Sequence, residues 1–185
     1  MADSVVDLIM ADHREVERLF DRMKADPDQR PMLVPVVTAL LVAHSRAEEA
    51  EVYPVARDEA GISEEVAHSQ EEHAEAEALL ERLKSLDHNS GEFHSVLDEL
   101  IEAVSHHVEE EESSVLPGMR DHLSPDRLAE LGEAFMVARA EHMGDRPGEA
   151  TRDELLQQAQ NAGIEGAASM TKDQLDKELR RRAEE

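Results

Sequence analysis

The sequence contains no cysteine and no tryptophan among its 185 residues, and aromatic residues make up only 2% of it. Without cysteine the chain can form no disulfide, zinc finger or iron–sulfur cluster. Any metal ion it binds must therefore be held by histidine and carboxylate side chains. Because aromatic residues are so few, the apolar core must consist of leucine, valine, methionine and alanine.

Basic residues are scarce as well. The chain has 19 Lys and Arg against 44 Asp and Glu, a net charge of −25. This charge opposes nonspecific binding to nucleic acid and to anionic lipid. It fits either a solvated surface or an electric field that attracts cations to a metal site. No apolar run has the length of a membrane span, and the N-terminus, residues 1–7, carries acids where a signal peptide needs basic residues. We therefore expect a cytoplasmic protein that does not bind membranes.

What the chain has in abundance is alanine, glutamate, leucine and arginine, a composition typical of all-helical proteins. Apolar residues recur at steps of three and four through four long segments, which are joined by short connections. Short connections favour antiparallel neighbours. The sequence predicts an all-α fold: an antiparallel up-down-up-down four-helix bundle, followed by a fifth helix and a small helical C-terminal module.

Capping residues and prolines set the predicted helix boundaries. Ser4 or Asp3 can cap the first helix, and Ser63 the third. Pro117 and Gly118 are expected to close the fourth helix. Ser124, followed by a proline, predicts the start of the fifth helix.

The chain is predicted to divide into a bundle over residues 1–143, a linker over residues 144–150 and a module over residues 151–185. Gly144, Pro147 and Gly148 mark the linker. Two short helices of the module share the same entry, with Thr151 and Thr171 as N-caps.

One motif occurs twice in the predicted bundle. His13, followed by His44 and Glu48, recurs as a second set: His73, His107 and Glu111. The likeness extends to the neighbours of these residues. They form four matched pairs: Asp12 with Glu72, Glu49 with Glu112, Val52 with Val115, and Pro54 with Pro117.

A histidine with a glutamate four residues later is weak evidence in so acidic a chain, because seven of the ten histidines have one. The evidence lies in the register of the repeated set, since each of its four histidines falls on the apolar stripe of a helix. Burying imidazoles and carboxylates without partners costs free energy, and cations between them would compensate for that cost. We interpret His106 as no ligand, because it points about 100° away from His107. The remaining histidines are interpreted as solvent-facing or capping residues. Tyr53 is interpreted as a packing residue.

The repeated residues predict a centre with two metal ions. Residues i and i+4 lie on one helix face, so that His44 and Glu48 can reach one ion. Glu48 and Glu111, from helices across the bundle axis, can each bridge both ions. Imidazole and carboxylate without thiolate favour iron, and less strongly manganese, over structural zinc.

The pattern resembles the hemerythrin family, in particular the bacterial HHE cation-binding domains, over about residues 1–143. The resemblance implies a non-haem, carboxylate-bridged pair of iron ions with six ligands: His13, His44, Glu48, His73, His107 and Glu111. Oxygen-carrying members have a further histidine on the third helix where this chain has Glu77, and an Asp five residues after the last histidine. Glu77 is a candidate seventh ligand. The departure argues against reversible oxygen carriage and favours redox or sensing chemistry.

The C-terminal module, residues 151–185, is similar to the small N-terminal helical domain of the transcription terminator Rho, a SAP-like module. Such modules often bind nucleic acid. From Arg146 onward, however, the chain has 7 basic and 9 acidic residues. The cluster Arg180–Arg182 suits a helix C-terminus, where cations oppose the helix dipole, and nucleic-acid or protein contact are the alternatives.

The function expected from the sequence is that of a hemerythrin-like di-iron protein that interacts with O2, peroxide or NO. One alternative is an iron or oxygen sensor, or an iron-storage protein, that signals through its C-terminal module. Another is a structural helical protein without metal. The sequence leaves open whether the protein is an enzyme.

Overall fold

The computed structural model describes residues 3–184; Met1, Ala2 and Glu185, at the ends of the predicted domains, lie outside the described residues. Every regular element in this part of the chain is helical, which confirms the predicted all-α fold. Its α-helices are α1 (Val5–Ala25), α2 (Arg30–Ala47), α3 (Tyr53–Asp58), α4 (Ser63–Ser85), α5 (Gly91–Glu110), α6 (Leu116–His122), α7 (Pro125–Glu141), α8 (Arg152–Asn161) and α9 (Lys172–Ala183).

Helices α1, α2, α4 and α5 form the bundle, with α3 and α6 continuing α2 and α5. Helix α1 packs on α2, and α4 packs on α5. Helix α7 lies against α1 and α2, whereas α9 lies against α4. None of the helices in the described part of the chain combines the length and the apolar character needed to cross a membrane.

Most of the predicted caps are present. The side chains of Ser4 and Ser124 accept backbone N–H groups of α1 and α7, and Thr151 and Thr171 form capping boxes at α8 and α9. These bonds satisfy N–H groups that have no partner within the helix. The prediction for Ser63 was wrong: it is the first residue of α4, and no side chain caps that helix.

Two π-helical turns interrupt two of the long helices of the bundle. The turns Glu48–Val52 and Glu111–Val115 join α2 to α3 and α5 to α6. A proline, Pro54 or Pro117, is the second residue after each turn. Proline lacks an N–H group and clashes with the carbonyl four residues earlier in a regular helix, and a wider turn relieves both conflicts. The sequence predicted that Pro117 would end the fourth helix. That prediction was wrong: the wider turn accommodates the proline, and α6 continues to His122.

Two apolar layers fill the bundle core. One includes Val16, Phe20 and Leu97, and the other includes Ile9 and Phe135. Truncating a fully buried leucine such as Leu97 would cost about 2–5 kcal/mol. A buried polar layer lies between them; His13, for example, stands between Ile9 of one layer and Val16 of the other.

The C-terminal helices share a small apolar cluster of their own, which contains Leu155, Ile164, Leu175 and Leu179. The cluster packs on the bundle beside α4 and the turn Glu48–Val52. The division of the chain into separate domains stays a prediction.

Candidate metal centre

The structure brings together all six residues that the sequence predicted as ligands. Each is almost completely buried, with Glu48 and Glu111 0% exposed and the histidines at most 7% exposed. Their donor atoms form two adjoining groups, which we call the first and the second position. The first consists of His13, His44, Glu48 and Glu111; the second consists of Glu48, His73 and His107.

Glu48 belongs to both positions. One of its oxygens, Oε1, lies 3.2 Å from His44 Nε2, and the other, Oε2, lies 3.4 Å from His73 Nε2. Glu111 lies closer to the first position, with Oε2 3.2 Å from His13 Nε2 and 3.9 Å from His107 Nε2. The carboxylate of Glu48 can therefore reach an ion at either position, whereas Glu111 belongs only to the first group and its bridging stays a prediction.

All four histidines turn the same nitrogen inward, because a carboxylate holds the other one. At the first position, His13 Nδ1 donates to Glu112 at 2.9 Å and His44 Nδ1 approaches Asp12 at 3.1 Å.

At the second position, His73 Nδ1 donates to Glu49 at 3.2 Å and His107 Nδ1 to Glu72 at 2.8 Å. Carboxylates in this place fix the ring orientation of metal-binding histidines and make their free nitrogen more basic. The sequence alone indicated no supporting role for these four acids, although all of them are part of the repeat; from the sequence, Glu112 was only an alternative to Glu111 as a ligand.

Several inward atoms have no hydrogen-bond partner among the described residues. They are five atoms of the six residues: His13 Nε2, His44 Nε2, both oxygens of Glu48, and Glu111 Oε2. Buried polar atoms without a partner are costly, and native proteins pair or coordinate them. A set of imidazole nitrogens and carboxylate oxygens facing one another fits metal cations between them.

The charges at the centre act on one another. Burial works to lower the pKa of His44, but the charge of Glu48 and the contact with Asp12 raise it to about 10. Burial also works to lower the pKa of His73, but its contacts with Glu48 and Glu49 raise it to about 10. Burial works to raise the pKa of Glu48, and His44 and His73 lower it well below its ordinary value. The carboxylates thus hold positive charge at the places where cations would bind.

Tyr53 belongs to the centre and is more than a packing residue. Its buried hydroxyl donates to Glu111 Oε1 at 3.2 Å and lies 3.2 Å from His73 Nε2. Burial raises the pKa of Tyr53 well above its ordinary value, which keeps the phenol neutral. The repeat places Leu116 at the matching point of the other half, and this difference between the halves was the available signal.

Glu77 lies outside both positions. Its Oε1 accepts a hydrogen bond from Arg46 at 2.6 Å and another from the backbone N–H of Gly148 at 2.9 Å. Burial raises the pKa of Glu77 above its ordinary value despite the opposing charge of Arg46. At the position where oxygen-carrying members of the resembled family have a further histidine, this chain therefore has an ion pair between Glu77 and Arg46.

Helix α8 contributes to the support of the second position. Gln158 Nε2 donates to Glu49 Oε2 at 2.9 Å, and Asn161 Nδ2 donates to the backbone oxygen of Glu49 at 3.0 Å. Arg46 and Gln70 donate to the same carboxylate. Burial works to raise the pKa of Glu49, but Arg46 and the other donors lower it to about 2. Glu49 is therefore an ionised, fully bonded acceptor for His73.

A small cavity of about 30 Å³ adjoins the centre. The four predicted histidine ligands line one side of it. Apolar residues including Val16, Leu41 and Val104 and polar residues including Ser45 and Arg46 line the rest. A space of this size holds a water molecule or a ligand as small as O2 or peroxide.

Residues 4–119 match the family model described as "Hemerythrin HHE cation binding domain". The chain is 28% identical over 150 residues to a protein named DNA nickase from Nostoc sp., covering 80% of this chain and 42% of that protein. It is 29% identical over 137 residues to an uncharacterised hemerythrin-like protein from Schizosaccharomyces pombe, covering 71% of this chain and 66% of that protein. The chain thus spans less than two-thirds of the length of each relative. No solved structure matches it significantly.

Proposed function

The chain belongs to the hemerythrin HHE cation-binding family, and from that premise we propose that it holds two iron ions and interacts with O2, peroxide or NO in a redox or sensing role. The observation that carries the proposal is the buried set of inward donor atoms without hydrogen-bond partners. The proposed ligands are the six residues of the two positions: His13, His44, Glu48, His73, His107 and Glu111.

The ligand types favour iron. Four imidazoles and two carboxylates, without thiolate, suit iron better than a structural zinc ion, and manganese is the less favoured alternative. When bound, two iron ions would supply redox activity and a binding point for a small ligand. The chain's own residues orient the imidazoles, hold the carboxylates ionised and exclude bulk water from the centre.

The cavity beside the four histidines supports a diatomic molecule or peroxide as the ligand. Reversible oxygen carriage is not our proposal, because the further histidine that the resemblance associates with carriers is absent. Glu77 stands there and pairs with Arg46, so that an additional imidazole donor is missing from the second position.

Metal content tests the proposal directly. Purified protein reconstituted anaerobically with Fe²⁺ should contain two iron ions per chain, and its absorption spectrum should respond to O2, H2O2 or NO. The variant His107→Ala should lose at least one ion, whereas His122→Ala, which changes an exposed histidine outside the centre, should keep both. Iron content below one ion in the unaltered protein would refute the proposal, and unchanged content in H107A would refute the ligand set.

A second candidate function is an iron or oxygen sensor that signals through residues 151–184. The contacts of Gln158 and Asn161 with Glu49 favour it, because Glu49 also orients His73. A change at the second position that moved His73 would alter the acceptor on which α8 docks. An iron-storage role has no comparable support from the contacts of the C-terminal helices.

Hydrogen exchange distinguishes the sensor from the first proposal. If metal state controls docking, backbone amides of α8 and α9 should exchange more slowly in the iron-loaded protein than in the metal-free protein. The variant Gln158→Ala should reduce this difference, whereas the matched variant Gln160→Ala, at an exposed position, should preserve it. Equal exchange in both metal states would rule out signalling by this route.

We do not extend DNA cleavage to this chain. The relative named as a nickase is matched over only 42% of its length. The net charge of −25 would repel the phosphate backbone. Protein or nucleic-acid contact by residues 151–185 stays a prediction.

A further inference from the structure

A second cluster of metal-binding side chains lies outside the centre, on the face formed by α4 and α5. Two pairs with the spacing His-x-x-x-Glu face each other there: His68 with Glu72, and His106 with Glu110. Glu110 Oε2 lies 2.8 Å from His68 Nε2, and its Oε1 lies 3.1 Å from His106 Nε2. Both histidines are more than half exposed.

Glu72 connects this cluster with the buried centre. Its Oε2 accepts the Nδ1–H of His107 at 2.8 Å. The Glu72 side chain is only 9% exposed, and its Oε1 has no hydrogen-bond partner among the described residues. That oxygen lies 3.7 Å from His68 Nε2 and 3.9 Å from His106 Nε2. A buried carboxylate oxygen without a partner is costly, and a cation at this point would satisfy it.

The counterpart carboxylate in the other half of the repeat already has a cationic partner. Asp12 is the counterpart of Glu72, and the guanidinium of Arg139 from α7 donates to Asp12 Oδ2 at 2.6 Å. The counterparts of His68, His106 and Glu110 are Leu8, Ala43 and Ala47, which have no metal-binding groups. One half therefore neutralises its supporting carboxylate with arginine, whereas the other half presents two imidazoles and a second carboxylate.

We propose that His68, Glu110 and the outward oxygen of Glu72 form a second, solvent-accessible site for a divalent transition-metal cation. Their donor atoms lie within 4.8 Å of one another, and His106 pairs with Glu110 beside them. Donors about 2.0–2.1 Å from a tetrahedral ion lie about 3.3 Å apart. The distances of His68 Nε2 from Glu110 and Glu72, 2.8 and 3.7 Å, lie on either side of this value. Imidazole with carboxylate suits Zn²⁺ and Fe²⁺.

The carboxylate of Glu72 would join a cation at this outer site to His107, because its other oxygen accepts the Nδ1–H of His107. Binding to Glu72 Oε1 would withdraw electron density from the carboxylate that orients the His107 ring. Occupancy of the outer site is thereby linked to the strength of a ligand at the second position. The existence of the outer site does not depend on which ligand or reaction the inner centre serves.

Zinc titration of the iron-loaded protein tests this inference. Isothermal titration calorimetry should show one saturable Zn²⁺ site with micromolar affinity in the unaltered protein and in the control His122→Ala. The double variant His68→Ala/His106→Ala should bind Zn²⁺ weaker by more than about tenfold, since even the loss of a supporting residue costs that much. Both changed histidines are exposed, so we expect the variant to fold, and its circular dichroism spectrum will verify this.

Iron is measured in the same samples before and after titration. Retention of iron with an additional Zn²⁺ ion supports the outer site, whereas displacement of iron by Zn²⁺ contradicts it. Equal Zn²⁺ binding by the double variant, or no saturable binding by the unaltered protein, would overturn the inference. Failure of the inner proposal appears separately, as low iron content before any zinc is added.

Discussion

The two proposed metal positions offer the same types of donor, histidine and glutamate, but the carboxylates that hold their histidines have very different surroundings. At the first position, His13 is held by Glu112, which is 21% exposed and pairs with the half-exposed Arg14. At the second position, His73 is held by Glu49, which is buried and pairs with the buried Arg46. Glu112 and Glu49 are counterparts in the repeat, so the difference comes from their surroundings.

The helices outside the repeat explain much of this difference. Helix α7 supplies Arg139 to Asp12, which supports the first position, while α8 covers the turn Glu48–Val52 and supplies Gln158 to Glu49, which supports the second position. The repeated residues occupy matching places, whereas each position has its own neighbours. We therefore expect ions at the two proposed positions to differ in affinity and in response to mutation, although both positions offer histidine and glutamate.

The largest expected effect is a loss of bound iron, and it should distinguish Glu48, which belongs to both positions, from Glu111, which belongs only to the first. Glu48→Gln removes charge from a carboxylate that contacts both positions, and we expect neither ion to bind stably. Glu111→Gln is the matched change, and it should leave one ion at the second position. Iron content after reconstitution measures both. If the two variants retain the same amount of iron, the distinction between shared and unshared glutamates is wrong.

The next effect concerns the supports in the metal-free protein. Glu49→Ala leaves the buried donors of Gln70, His73 and Gln158 without their acceptor, at a cost of about 1–3 kcal/mol each, although Arg46 keeps Glu77. Glu112→Ala removes the acceptor of one buried donor, His13, and an exposed pair with Arg14 for which about 0–1 kcal/mol is typical, so its loss should be smaller. Urea unfolding of the metal-free variants should show this order. Equal losses would mean that the burial of Glu49 is not what distinguishes the positions.

A smaller effect is expected from pH. His44 and His73 have pKa values of about 10 in the folded chain, above the ordinary value of 6.5. Their contribution to the stability of the metal-free protein is complete below pH 6.5 and is lost as pH rises towards 10. Metal ions replace these protons, so the iron-loaded protein should lose less stability over that interval. Thermal unfolding midpoints between pH 6.5 and 10, with and without iron, measure the difference; parallel curves would contradict it.

At acidic pH the stability of the metal-free protein should fall as the pH decreases. Glu49 has a pKa of about 2, below its ordinary value of 4.5. Its contribution is present above pH 4.5 and is lost as pH falls towards 2. The variant Glu49→Gln should therefore show a weaker dependence of stability on pH in this range than the unaltered protein.

The sequence predicted the helical rods and the meeting of His13, His44, His73 and His107 because burial follows a helical period. The supporting acids Asp12, Glu49, Glu72 and Glu112 were also visible as matched pairs, but acids are so common in this chain that the pairs alone did not indicate a supporting role.

Other features had weaker signals. A hydrophobic period of three and four residues does not distinguish a π-turn from a regular helix, and only the prolines at 54 and 117 hinted at it. The contact between Gln158 and Glu49 joins residues 109 positions apart and follows no periodic pattern. His68 and His106 were correctly expected to be exposed, yet only the packing of α4 on α5 brings them to the same carboxylates.

The smallest expected effect tests whether Glu77 is a ligand. The structure pairs its carboxylate with Arg46 and Gly148, so Glu77→Gln should leave the iron content at two ions. Arg46 keeps its contact with Glu49, and the cost to stability should be about 1 kcal/mol, that of one ordinary hydrogen bond. His73→Ala, one helical turn away, should lose an ion and is the matched comparison. Loss of iron from Glu77→Gln would show that Glu77 leaves Arg46 when metal binds, and the second position would then have a carboxylate that the first position lacks.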